Sequence, residues 1–346
     1  MNRVYNKVIV WGYPLDSHTH SYVHFCWVKT FKALGYETHW FEDNNYPALD
    51  TFNYTNTIFI TEGHCDRNIP LDASNMYFVH ACVNPLKYKK SGGRLVDIRY
   101  HVAYLHDSVY DYNLNTKINN FSVTNLPDSM TYYESSACVD DLNKQFRNDN
   151  KDAGFYEAIY MFWATDLLPH EICYDDRFIK PSFPHEMIFV GSIGSGNDRE
   201  VRKFFDGCQN NNIICRHVNP WHRPVSFEEG KRMVQQSVIA PDIRGASNPK
   251  SNHKEIGYIA CRLFKNISYG KLGVTNSPRV KELFGENVLL ETQEDQIASL
   301  CLQNIGDSDY ILKQMKWVAE NHTYINRVKD LLSVVEKNNE YLMNLS

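Results

Sequence analysis

Between Gly257 and Ser277 an amphipathic run passes through a glycine stop straight into a short apolar strand. Ile259, Leu263, Phe264 and Ile267 share one face at helical spacing, and Gly270 stands where a helix ends. Leu272 to Thr275 then reads as a buried strand before the Asn276-Ser277-Pro278 turn. That order is an αβ unit. The polar loop from Gly245 to Gly257 leads into it, so a helix start near Gly257 and Tyr258 would offer backbone N–H groups and a partial positive charge to a phosphate. Arg262, one turn in, can add a bidentate contact. The same pattern also suits a plain αβ unit whose arginine makes a structural ion pair.

The first half repeats the alternation. Val8 to Trp11 is an apolar strand ending at Gly12, His20 to Leu34 a helix with Val23, Trp27, Phe31 and Leu34 inward, and Tyr36 to Phe41 the next strand. Further strands are expected at Thr57 to Thr61, Met76 to His80 and Tyr100 to Leu105. Asn113 to Asn150 is polar and Asn-rich, and reads as irregular loops. Three clusters follow strand ends, where open α/β sheets bind ligands. They are Asp16-Ser-His18-Thr-His20 with His24, Thr61-Glu62-Gly63-His64, and His80. Each reads either as loop-lining polar residues or as the source of a general base. As a zinc site the first lacks a Cys or Glu set at fixed spacing, so no metal is expected.

Pro181 and Pro184 amid polar residues read as a linker, after which a second Rossmann-like unit opens at Glu186 to Val190. The glycine loop behind it is spaced G-x-x-G-x-G, and the following strand ends in Arg216-His217 without an acid, which argues against NAD and hence against a Rossmann oxidoreductase. A helix from Asp198 to Gly207, a strand from Ile213 to Val218, a helix from Ser226 to Gln236 and a strand from Val238 to Pro241 follow. Arg244 leaves that strand at the same edge as Arg262, and two converging arginines suit a diphosphate. Trp221 can pack on a base or fill a domain interface. Lys250 and Lys254 read as solvated.

Composition sets outer bounds. At 346 residues the chain has room for two domains, and 43% hydrophobic with 13% aromatic content marks a globular protein. A net charge of -5 gives no general attraction to nucleic acid, so no nucleic-acid partner is expected. Nine cysteines without a C-x-x-C pair read as reduced thiols, and with no signal peptide the expected compartment is cytoplasmic. No transmembrane segment is expected, and peripheral membrane contact stays open.

Arg262-Leu-Phe264, the Gly270 stop, the Val274-Thr-Asn276 strand end, Val280-x-Glu282-Leu-Phe284 and the closing His322-Thr-Tyr-Ile-Asn-Arg327 together resemble the donor-domain signature of GT-B glycosyltransferases. The likeness is to the glycosyl transferases group 1 family, spore-maturation-protein-like members included, and runs roughly from Met187 to Leu332. It implies an α/β fold of two Rossmann-like domains facing across a cleft. Residues 1–180 would take the acceptor, 185–322 would hold the nucleotide-sugar donor, and a helix over 323–346 would return to the first domain. It implies a glycosyltransferase that moves a sugar from a nucleoside-diphosphate sugar to a hydroxyl of a glycan or glycoconjugate, with no cofactor and no metal. Gly191 and Ser192 match the family's cleft opening. With Trp221, Arg244, Gly257, Tyr258 and Arg262 they form the expected donor site, and Asp16, His18, His64 and His80 are the catalytic candidates. The one literal Asp-x-Asp, Asp307-Ser-Asp309, lies between two helices and reads as a cap, which argues against a metal-dependent GT-A enzyme. Lys265 stands where the family carries a ribose-holding Glu. That departure keeps two alternatives alive, a GT-B sugar-nucleotide epimerase and an inactive sugar-nucleotide-binding protein.

Overall fold

The structure, a computed structural model, describes residues 5–18, 20–62, 65–72, 74–80, 101–106, 122–124, 156–160, 163–175, 179, 184–194, 196–220, 222–246, 253–256 and 259–343. It is a mixed α/β fold built on parallel sheets. The chain divides into two compact units, Met1–Phe162 with Tyr324–Ser346, and Trp163–Thr323. The division falls ahead of the proline-bearing stretch read as a linker.

In the first unit seven strands form one sheet, all paired in parallel. They are β1 (Lys7–Trp11), β2 (Glu37–Phe41), β3 (Thr57–Thr61), β4 (Met76–His80), β5 (His101–His106), β6 (Ser122–Thr124) and β7 (Tyr156–Tyr160), in the order β2-β1-β3-β4-β5-β7-β6. A strand covered on both faces needs an unbroken apolar run. β1 supplies Val8, Ile9, Val10 and Trp11, all fully buried, and every residue of β3 is buried. Helix α1 (Ser21–Ala33) covers β1 with Trp27 and Phe31, and Gly35 takes the left-handed conformation (φ 76°) just past its end. β6 and β7 were not expected from the sequence. β6 lies inside the Asn-rich segment read as loops, most of which is outside the described residues.

The second unit runs β8 (Glu186–Val190), α2 (Asp198–Asn210), β9 (Ile214–Val218), α3 (Phe227–Gln236), α4 (His253–Ile256), α5 (Cys261–Ser268), β10 (Val274–Thr275), α6 (Pro278–Phe284), β11 (Leu289–Leu290), α7 (Ile297–Asn304) and α8 (Ser308–Asn321). β8 pairs with β9 and β10 with β11, each in parallel. The segment 238–243 joins the two pairs. Val238 N–H donates to Glu186 O of β8, and Asp242 N–H donates to Val274 O beside a parallel bridge to Thr275. The order is thus β9, β8, the 238–243 segment, β10, β11. The expected helix caps are present: Ser226 Oγ accepts Glu229 N–H at 3.2 Å, and Asp307 accepts Tyr310 N–H at 2.9 Å.

The helix at the centre of the sequence argument begins later than the pattern implied. α5 starts at Cys261 behind Ala260, so Arg262 sits in its first turn. Leu263, Phe264 and Ile267 are buried as expected, and Phe264 stacks on His322 with ring centroids 4.3 Å apart. His322 and Thr323 close the second unit, and Tyr324 opens α9 (Tyr324–Met343) in the first, where its ring meets Trp27 edge-on at 5.3 Å. Val328 and Leu331 bury their side chains on the same helix, and Val335 is outside the side chains described. Among the described residues, no helix is long and apolar enough to cross a membrane.

Lys271, between α5 and β10, is a local exception to good packing. Its side chain is 2% exposed, and its Nζ has no hydrogen-bond partner among the described residues. Burial lowers its pKa to about 8 from the ordinary 10.5. Below about pH 8 the folded chain carries a buried ammonium. Between pH 8 and 10.5 it sheds that proton before the unfolded chain does, so stability climbs by about 3 kcal/mol across this window. Lys271→Met should therefore raise the unfolding free energy at pH 7 by a similar amount and flatten the alkaline rise. Urea titrations at pH 7 and pH 10 check both.

Candidate functional site

In a doubly wound sheet the carboxyl ends of strands leave a crevice where the connections turn to opposite sides. In the first unit that point lies between β1 and β3. Gly12 ends β1, and a Cβ there would lie 2.3 Å from the His24 ring, so glycine lets that imidazole lie over the strand end. Glu62 follows β3 and is 1% exposed. His20 Nδ1 hydrogen-bonds Glu62 Oε1 at 2.7 Å, with His18 Nδ1 4.0 Å from the same oxygen. His24 Nε2 is 3.7 Å from Oε2. Tyr13 stacks on His18 at 4.3 Å.

The electrostatics follow from this packing. Burial pushes the Glu62 carboxyl up, but the His20 hydrogen bond and the three imidazoles outweigh it and hold it below the usual range. Burial lowers His24 to about 4, so this imidazole is neutral near pH 7. A carbonyl oxygen can only accept, so His24 gives its Nδ1 proton to Tyr13 O at 3.3 Å and turns an Nε2 lone pair toward Glu62. Burial also lowers His18, with Glu62 opposing and His20 adding to the shift. The sequence reading found no acid to complete the histidine set. The structure corrects it, because Glu62 arrives from β3, 42 residues along the chain from His20.

Asp16 stands apart in the exposed loop. It is in the left-handed region (φ 67°), and its carboxylate accepts the Tyr22 hydroxyl at 3.2 Å. His80 ends β4, with its side chain outside those described. His64, Trp221, Gly257 and Tyr258 lie outside the described residues.

In the second unit the corresponding point lies between β8 and the 238–243 segment. Gly191, just past β8, has φ 149°, and a Cβ on it would lie 1.9 Å from Arg262 Nη2. Arg262 thus rests against bare backbone, donates to Val190 O at 3.3 Å and lies 4.5 Å from the Phe189 ring centroid. Ser192 is exposed, and its carbonyl accepts Asn197 Nδ2 at 3.3 Å. Arg244, 6% exposed, pairs through Nη2 with buried Asp242. Its backbone is clamped by Asn276, which accepts Arg244 N–H at 2.7 Å and donates to Arg244 O at 2.9 Å. Asn276 also donates to Glu294 Oε1 at 3.0 Å. His253 is lowered to about 4 by burial and by the Arg244 charge.

Two lysines behave differently from expectation. Lys254 is not solvated but tied to Glu294 at 2.5 Å and to Thr292 O at 2.6 Å. Lys265 lies 3.6 Å from Asp166, whose carboxylate also accepts the Tyr269 hydroxyl at 2.6 Å. The sequence reading missed Asp242, Glu294 and Asp166. Nothing local marks them, since each meets its basic partner through the fold, although Asp242 two residues before Arg244 was a signal in plain view.

Neither the protein-family models nor the curated proteins contain a match to this chain.

The Gly191 contact can be checked directly. Gly191→Ala should displace the Arg262 guanidinium and strain the backbone, lowering stability by roughly 1–3 kcal/mol. Gly194→Ala, where an added Cβ meets nothing within 4 Å, should be near neutral. Chemical denaturation of both variants measures the difference.

Proposed function

We propose that the chain is a GT-B glycosyltransferase that uses a nucleoside-diphosphate sugar. The observation that carries this reading is the guanidinium of Arg262, in the first turn of α5, lying against the bare backbone of Gly191 at the end of β8. A fixed cation beside helix N–H groups in a topological crevice suits a diphosphate leaving group, on which negative charge grows as the sugar departs. The resemblance of Arg262 to Phe284 and of His322 to Arg327 to the group 1 family's wording supports the same assignment. Arg244, neutralised by Asp242, contributes shape and hydrogen-bonding capacity more than net charge.

The first unit would take the acceptor. His18 and His20, held against the Glu62 carboxylate at the β1/β3 crevice, form the place where an acceptor hydroxyl loses its proton. Lys265 does not substitute for a ribose-holding acid, because Asp166 meets its charge.

A thermal-shift screen with UDP, GDP, dTDP, CMP and NAD tests the reading. One nucleoside diphosphate should stabilise the protein by about 2.7 kcal/mol at 100 times its dissociation constant, and EDTA should leave that nucleotide-induced shift unchanged. Arg262→Ala should weaken that binding by roughly 1.5–3 kcal/mol, the scale of a charge-assisted bond. Stabilisation by NAD alone, or an unchanged diphosphate response in a folded Arg262→Ala protein, would sink the proposal.

A further inference from the structure

We infer that His18, His20 and Glu62 form a binding site for a single divalent ion of the zinc class. The site stands whether or not the second unit binds a nucleotide. Among the described residues this is the one set of three His, Cys, Asp or Glu side chains whose ligand atoms all lie within 4.8 Å of one another. Two imidazoles and a carboxylate are a ligand set that zinc takes with one coordination position left open.

The distances fit. Zinc about 2.0–2.1 Å from each ligand, at tetrahedral angles, sets neighbouring ligand atoms about 3.3 Å apart. The His20 and His18 Nδ1 atoms lie 2.7 and 4.0 Å from Glu62 Oε1, on either side of that value. Both imidazoles are half-buried on a loop, and His18 reaches the metal by a ring rotation that gives up the hydrogen bond its Nδ1 accepts from His20 N–H at 3.2 Å.

An independent observation comes from the far side of the carboxylate. Glu62 is 1% exposed, and its Oε2 is buried with no hydrogen-bond partner among the described residues. A buried carboxylate with an unsatisfied oxygen carries a desolvation penalty that a cation relieves. His24 Nε2 lies 3.7 Å from that oxygen. Binding exchanges the proton shared between His20 and Glu62 for the metal. A water or sugar hydroxyl taking the remaining coordination position would become more acidic.

The test uses the full chain, stripped with a chelator and titrated with Zn2+ by calorimetry, with Co2+ absorption as a second probe. The expected result is one equivalent of metal per chain and a cobalt spectrum of a four-coordinate site. His18→Ala and His20→Ala should each weaken binding by more than about 100-fold, beyond the range typical of residues that merely orient ligands. His39→Ala, whose ring pairs with exposed Glu37, should leave binding unchanged. Glu62→Gln should abolish binding. If that buried change prevents folding, the half-exposed His18→Ala and His20→Ala variants still decide the matter. Wild-type binding well below one equivalent, or equal affinity in wild type and in folded His18→Ala and His20→Ala, would overturn the inference. Loss of metal binding with nucleotide binding intact would separate this site from the donor site.

Discussion

The central strands of the first sheet, β1 and β3, are closed to water along their length and open only at their ends. Val8 to Trp11 and Thr57 to Thr61 bury both faces, so no polar side chain on them reaches a ligand. Chemistry is therefore confined to the carboxyl edges, where the chain leaves the sheet and backbone and side chains meet solvent. Connections that diverge to opposite sides open a crevice at those edges, and both units have one. Gly12 and Gly191 mark the two positions, each a glycine because a side chain, His24 or Arg262, lies where its Cβ would be.

The two crevices carry opposite characters. The first holds a buried carboxylate ringed by three imidazoles, an arrangement that accepts protons or a metal. The second holds two arginines, one balanced by Asp242 and one resting on backbone and on the Phe189 ring. A nucleoside-diphosphate sugar calls for the second character and a hydroxyl acceptor for the first. The proposal of glycosyl transfer draws on both characters and is carried by the Arg262 contact with Gly191.

Much of the fold was legible because it rests on local pattern. The apolar runs of β1, β3 and β8, the inward stripe of α1, the Ser226 and Asp307 caps and the glycine stops at Gly35 and Gly270 are all written within a few residues. What the sequence did not show depends on distance along the chain. Glu62 completes the histidine cluster from β3, and Asp166 meets Lys265, 99 positions further along the chain, through the fold rather than through local pattern. The start of α5 was misplaced because the polar residues around Gly257 resemble a helix start, whereas Ala260 is the cap. Strand β6 escaped notice because it lies inside a polar, Asn-rich segment, and β7 because it follows one.

The central claim is that Arg262 and Gly191 hold the diphosphate of a sugar nucleotide. A crystal structure of the chain with the nucleoside diphosphate selected by binding tests this most directly. The account predicts the phosphates at the end of β8, within hydrogen-bond distance of the Arg262 guanidinium and the first turn of α5. A nucleotide seated elsewhere, with Arg262 still on Val190 O and no phosphate beside it, would contradict the account.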